Sequence, residues 1–331
     1  MKDFKIAQPQ TVEQVTSFLA REKEKISLMA GGTDLLGEIK EETIEPEVII
    51  DLTSLLNLSY IKKEKDGVHI GALTTVAELA EDPMIKQDYK GLHEAANVIA
   101  TPQIRNVGTV GGNLCQRPRC WYYRDPEVVC RKKGGSKCFA FRGRNKYHAI
   151  LGGGMCYIVH PSDLAPILVA LDAVASISSP NGEKSLPLAD FFALPSANVR
   201  KDNILNSDEL VKEIKLPLVQ KDARSTYSKF MERGAWDFAV VSAAVKGNIS
   251  GNAFKDIKIV LGGVAPIPWR LKKGEDLIKG KSVNETLVRK AAQEALQDAE
   301  PLAENSYKKE LVEVILYRAV LSLLEKSKKM L

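Results

Sequence analysis

The chain has 331 residues, 44% hydrophobic and 27% charged, which is enough for two or three domains with apolar cores. No apolar run reaches the length of a membrane span, and a net charge of +5 does not by itself call for a nucleic-acid partner. The opening MKDFKIAQPQTVEQV has charge but no apolar signal core, so the expected compartment is the cytoplasm, with export alongside a signal-bearing partner left open.

In chain order, Thr11 and Gln14 have capping-box spacing and predict an amphipathic helix to about Arg21. Ile26–Met29 reads as a strand running straight into Ala30-Gly-Gly-Thr-Asp34, and 48–52 as a short buried strand. Residues 60–73 alternate around Asp66-Gly67, a hairpin signal. Helices are expected at 74–79 and 92–100. From Thr101 to His160 periodicity gives way to glycines, cations and cysteines, and irregular stretches of that length are usually functional. Beyond it, 156–159 and 174–177 read as strands and 165–171 as a helix. A second unit is expected from about residue 185, with strands at 209–216, 225–231 and 257–261. Residues 239–245 fit a buried helix or a buried strand equally. Amphipathic helices at 284–300 and 306–326 close the chain. The fold class is α+β, with a first domain at 1–180 (parts at about 1–58 and 59–180) and a second at 185–331.

Two glycine-rich segments offer backbone N–H groups to an anion. The first is Ala30-Gly31-Gly32-Thr33-Asp34 after its strand; the second is IRNVGTVGGNL at 104–114. Neither has the lysine of a P-loop or the spacing of a dinucleotide fingerprint, but two such cradles in one domain suit a ligand with two phosphates. Four of the five cysteines, Cys115, Cys120, Cys130 and Cys138, crowd into CQRPRCWYYRDPEVVCRKKGGSKC, and Cys156 follows. An odd number in a cytoplasmic chain argues against a disulfide framework. Zinc favours short C-x2–4-C hooks, which only Cys115 and Cys120 approach. An iron–sulfur cluster needs four thiolates and tolerates irregular spacing, and is the preferred reading; zinc and free thiols remain alternatives. Ten cations lie between Cys115 and His148 against Asp125 and Glu127, an expected counter-charge for an anionic cluster. Interleaved aromatics keep a nucleic-acid patch in view. His69, His93, His148 and His160 form no catalytic constellation with a nucleophile, and no catalytic residue is assigned.

AGGTDLL at 30–36, IRNVGTVGGNL at 104–114 and HPSD at 160–163 resemble the signatures of the FAD-binding medium subunits of the xanthine dehydrogenase / carbon monoxide dehydrogenase family of molybdenum hydroxylases. The resemblance covers essentially the whole chain, including KFMERGAWDFAVVS at 229–242. It implies a two-part FAD-binding domain of the vanillyl-alcohol-oxidase-like type and a CO-dehydrogenase-flavoprotein-type C-terminal domain. It implies that Leu28, Met29, Ala30, Gly31, Gly32, Thr33 and Asp34 wrap the pyrophosphate. Gly108, Thr109, Gly112 and Asn113 would hold phosphates and the ribityl chain. Ser162, Asp163 and Lys229 would lie nearer the flavin, with Cys115 as its neighbour. The cysteine insertion at 115–156 is similar to that of the subset with an extra [4Fe-4S] cluster, the periplasmic aldehyde oxidoreductase and 4-hydroxybenzoyl-CoA reductase types. By that resemblance the ligands are Cys120, Cys130, Cys138 and Cys156. The implied partners are a large subunit with a molybdenum cofactor and a small subunit with two [2Fe-2S] clusters, in a heterotrimer or its dimer. A ferredoxin-like acceptor is implied; neither nucleic acid nor membrane is expected. The alternatives are a stand-alone FAD oxidoreductase and a zinc-stabilised nucleic-acid-binding protein.

Overall fold

A computed structural model describes residues 2–21 and 25–328, with side chains to residue 324. Three sheets organise them. Strands β1 (Lys5–Ala7), β2 (Ile26–Met29) and β3 (Val48–Asp51) form a parallel sheet in the order β1-β3-β2. The helix Val12–Arg21 turns Val12, Val15 and Leu19 onto Ile50 and Leu52. Its cap differs from the expected box: Gln14 N–H donates to Thr11 Oγ1, but Gln14 Oε1 accepts from Gln10 N–H rather than from Thr11.

The second sheet is antiparallel, β4-β5-β8-β6-β7, from β4 (Ile61–Glu64), β5 (Gly67–Gly71), β6 (Val174–Ser179), β7 (Gly182–Pro187) and β8 (Leu210–Leu216). The β4–β5 hairpin turns at Lys65-Asp66, one residue before the expected pair, because Glu64 pairs with Gly67. Helices Val76–Glu81, Lys90–Asn97 and Leu164–Ala170 share one core with this sheet. The expected boundary at 180–185 falls inside the β6–β7 hairpin, and β8, expected in the second unit, lies between β5 and β6. A surface-like sequence at β7, exposed along most of its length, hid this edge strand.

The third sheet runs β9 (Ala223–Phe230), β10 (Val241–Ser250), β11 (Ala253–Gly262), β12 (Trp269–Arg270), all antiparallel. Strand β10 explains the ambiguous alanine–valine run. Val241, Ala243 and Val245 face a core shared with the helices Lys272–Ile278, Glu285–Ala295 and Lys308–Lys328. Ala244 faces the core of the second sheet. A strand covered on both faces loses the period-2 signal. Residues 156–159, expected as a strand, join no ladder; they run between the sheets, with Ala149 N–H donating to Tyr157 O. Among the described residues no helix is long and apolar enough to cross a membrane.

Candidate functional site

The end of β2 and the turn after it face the second glycine loop, the start of the cysteine segment and residues 236–238 across a cleft of about 610 Å³. Its floor is the contact between the two glycine segments. A Cβ on Gly31 would lie 1.8 Å from Val107 O, so only glycine allows the turn after β2 to touch the second loop. Gly32 follows in the left-handed region at φ 69°. The second loop is tied to the helical layer by Val76 N–H to Gly108 O and Val110 N–H to Thr74 O, and Thr109 Oγ1 caps its own short helix at Gly112 N–H. Across the cleft, Ala100 and Trp236 both have positive φ and are joined by the Trp236 N–H bond to Ala100 O. Strained non-glycine backbone of this kind persists where the surroundings over-determine it.

Leu28, Ala30, Gly31, Gly32, Thr33, Asp34, Gly108, Thr109, Gly112, Asn113, Cys115 and Asp163 all line the cleft. Met29, Ser162 and Lys229 do not. Ser162 instead donates to Asn113 Oδ1 at 2.5 Å and so fixes that side chain. Lys229, expected as a cation near the flavin, is buried and committed to Asp163 Oδ2 at 2.8 Å and to the carbonyls of Val98 and Asp237. Tyr227 O–H donates to the other oxygen of Asp163 at 2.6 Å. Burial pushes the Asp163 carboxyl upward, opposed by Lys229 and Tyr227. The lysine thus acts on the carboxylate, and the carboxylate faces the cleft.

The sequence reading missed a layer of side chains that reaches the cleft from the cysteine segment. Arg119 and Arg124 each donate to Asp34 Oδ1 at 2.6 Å, and Arg117 N–H donates to Oδ2. Tyr123 donates to the buried Glu38 at 2.6 Å. Their signal is the arginine-rich QRPRC, whose proximity to the cysteines in sequence conceals its partner Asp34, more than 80 residues earlier.

Cys120, Cys130, Cys138 and Cys156 line one small cavity with His148 and Lys132, while Cys115 lies in the cleft. The space between them is about 10 Å³, about that of one water. The Cys156 thiol holds Cys138 below the ordinary thiol range and is itself raised, and burial raises Cys120 to about 11. Among the described residues no three His, Cys, Asp or Glu groups are disposed to hold a single metal ion. A lone ion draws its ligands to one point, whereas each thiolate of a cubane binds a different iron. The four thiols are the donor type that an iron–sulfur cluster takes, and the space they enclose is that of about one water.

The expected counter-charge sleeve is largely spent elsewhere. Arg117 and Lys132 pair with Asp202, Arg119 and Arg124 with Asp34, Arg144 with Glu304 and Lys146 with Glu232. Arg131 and Lys132 line the cysteine cavity; the paired cations chiefly fasten the segment to the rest of the chain.

The FAD binding domain of molybdopterin dehydrogenases matches residues 2–219, and the CO dehydrogenase flavoprotein C-terminal domain matches residues 225–323. The aldehyde oxidoreductase FAD-binding subunit PaoB of Escherichia coli K12 is 35% identical over 85% of this chain and 86% of its own length. The glyceraldehyde dehydrogenase medium chain of Sulfolobus acidocaldarius is 27% identical over 96% and 97%. Among solved structures, a carbon monoxide dehydrogenase from Hydrogenophaga pseudoflava superposes with a TM-score of 0.77 at 25% identity, covering 97% of this chain and 96% of that one.

Proposed function

This chain belongs to the family of FAD-binding subunits of molybdenum-dependent oxidoreductases, and from that premise we propose that it is an electron-transfer subunit carrying a [4Fe-4S] cluster beside its FAD. The observation that carries this reading is the pairing of the two glycine segments on one cleft with a four-cysteine cavity next door. In the cleft, the backbone of 28–34 and the residues Gly108, Thr109, Gly112 and Asn113 would hold the FAD phosphates and ribityl chain, and Asp163 would face the ring. Bound there, FAD supplies the conversion between two-electron and one-electron transfer. Lys229 and Tyr227 hold the Asp163 carboxylate in one orientation, and Ser162 does the same for Asn113. Cys120, Cys130, Cys138 and Cys156 would hold the cluster, which supplies a further one-electron station.

The partners we propose are a large subunit bearing the molybdenum cofactor and a small subunit bearing two [2Fe-2S] clusters, in a heterotrimer or its dimer. Two of the relatives named above act on aldehydes, and aldehyde is the substrate class proposed for the assembly. Purification of the tagged chain from its host is expected to bring down both partners with molybdenum. Cys130→Ser should remove about four irons per chain and leave FAD in place, whereas Cys115→Ser should leave both. Iron unchanged in Cys130→Ser, or one zinc per chain in the parent, would overturn the cluster assignment.

A further inference from the structure

His148 lines the cysteine cavity, and its ring Nε2 is 3.2 Å from Cys120 Sγ. We propose that His148 donates an N–H···S hydrogen bond to Cys120 and thereby raises the reduction potential of the cluster; this rests on the cluster reading above.

The ring is buried, and among the described residues its Nδ1 has no hydrogen-bond partner, so the sulfur is the side chain's one polar contact. A metal-bound thiolate has no proton to give. The shared hydrogen is therefore on Nε2, and Nδ1 keeps a bare lone pair, the tautomer that leaves no N–H unpaired. The ring's place is set from the start of the last helix. Asn305 Nδ2 donates to the carbonyls of His148 and Ala149 at 3.1 and 3.3 Å. Lys308 Nζ donates to those of Tyr147, His148 and Gly263 at 2.9, 3.0 and 2.7 Å. Both side chains are wholly buried, so a charge taken out of water is committed to holding this backbone. His148 N–H closes a turn onto Asn145 O, and Trp121, the neighbour of Cys120 in the chain, packs edge-on against the imidazole at 5.3 Å between ring centres. Hydrogen bonds to a ligand sulfur favour the reduced, more negative state of a cluster and so raise its potential. His148 acts through Cys120 and is a positioning residue for the electron path.

The test is a redox titration of the purified complex, followed by EPR, with the parent chain, His148→Leu and His148→Gln. Leucine fills the space without a donor, whereas the amide nitrogen of glutamine can stand where Nε2 stands. In His148→Leu the ratio of reduced to oxidised cluster at a fixed potential is expected to fall about tenfold, which is about 59 mV for one electron. His148→Gln should return to near the parent value, with about four irons per chain kept in both variants. Parent potentials in both variants would overturn the proposal. So would an equal fall in both, which would make the effect one of packing and not of the donor. If His148→Leu loses its iron, His148→Gln decides: iron and potential near the parent support the hydrogen bond, and any other result overturns it. A parent chain without iron would refute the cluster reading, and this inference with it.

Discussion

On the β2 side of Asp34 the molecule holds its shape with backbone; on the cysteine side it does so with charge. The cleft rests on peptide contacts that tolerate no side chain, Gly31 against Val107 above all. The cysteine segment has little regular structure from 116 to 163, and is pinned by arginines and a lysine reaching Asp34 and Asp202. The two strategies suit different ligands. Phosphates are recognised by N–H groups brought close together, which needs missing Cβ atoms. A cluster is recognised by side-chain sulfur, which needs only that a loop be held in place around it. Asp34 belongs to both regions, so the cleft and the cysteine cavity are mechanically joined.

The difference predicts where each region breaks. The largest effect on ligand binding is expected from Gly31→Ala. Its new Cβ would collide with Val107 O, so the two glycine segments must separate. FAD affinity should fall by roughly a hundredfold or more, read as flavin lost on gel filtration, while the iron content stays near that of the parent. Loss of both would show that the cysteine region depends on the cleft more than the contacts imply.

The converse is Asp202→Asn. Lys132 and Arg117 share this buried carboxylate, and Lys132 Nζ lies 2.6 Å from Oδ1 with both side chains almost wholly enclosed. Removing one partner of a buried pair costs about 3 to 5 kcal/mol, because a buried charge is left behind. Urea unfolding of the purified chain should show that loss, with iron released before flavin. A loss under about 1 kcal/mol would place the pair among solvated surface bridges, which the burial contradicts.

These two regions were not equally legible in the sequence. Glycine at 31, 32, 108 and 112 announces its purpose, because few requirements other than close backbone approach call for it. Helices at 12–21 and 285–295 were visible from periodicity, and β10 was not, because both of its faces are covered. The position of β8 was hidden for a different reason. A strand's sequence carries its own burial pattern but not the identity of its neighbour, and Leu210–Leu216 pairs with strands far earlier in the chain. The arginines of the cysteine segment were visible, but their partners Asp34, Asp202 and Glu304 lie up to 160 residues away. Lys229 shows the same limit, since its ion pair with Asp163 joins β9 to the start of the helix Leu164–Ala170 and cannot be read from either segment alone.

The smallest effect concerns His160, which lies between the two regions and sharpens the comparison through pH. Its ring is enclosed against Phe192 at 4.7 Å, and burial lowers it to about 4. The Asp202 charge opposes that shift only in part. In the unfolded chain the imidazole returns to about 6.5. Between these values the unfolded state binds the proton and the native state does not, so stability falls as pH drops from about 6.5 towards 4 and is level above about 7.5. From pH 8 to pH 5 this single group should account for about 2 kcal/mol of lost stability. His160→Asn should lower stability at pH 8 but flatten the slope by about one proton between pH 6.5 and 5 in urea titrations. An unchanged slope would mean that the imidazole is protonated in the native state, held by Asp202. In that case Asp202→Asn should itself steepen the acid loss, tying the charge-held region to the backbone-held one through a single side chain.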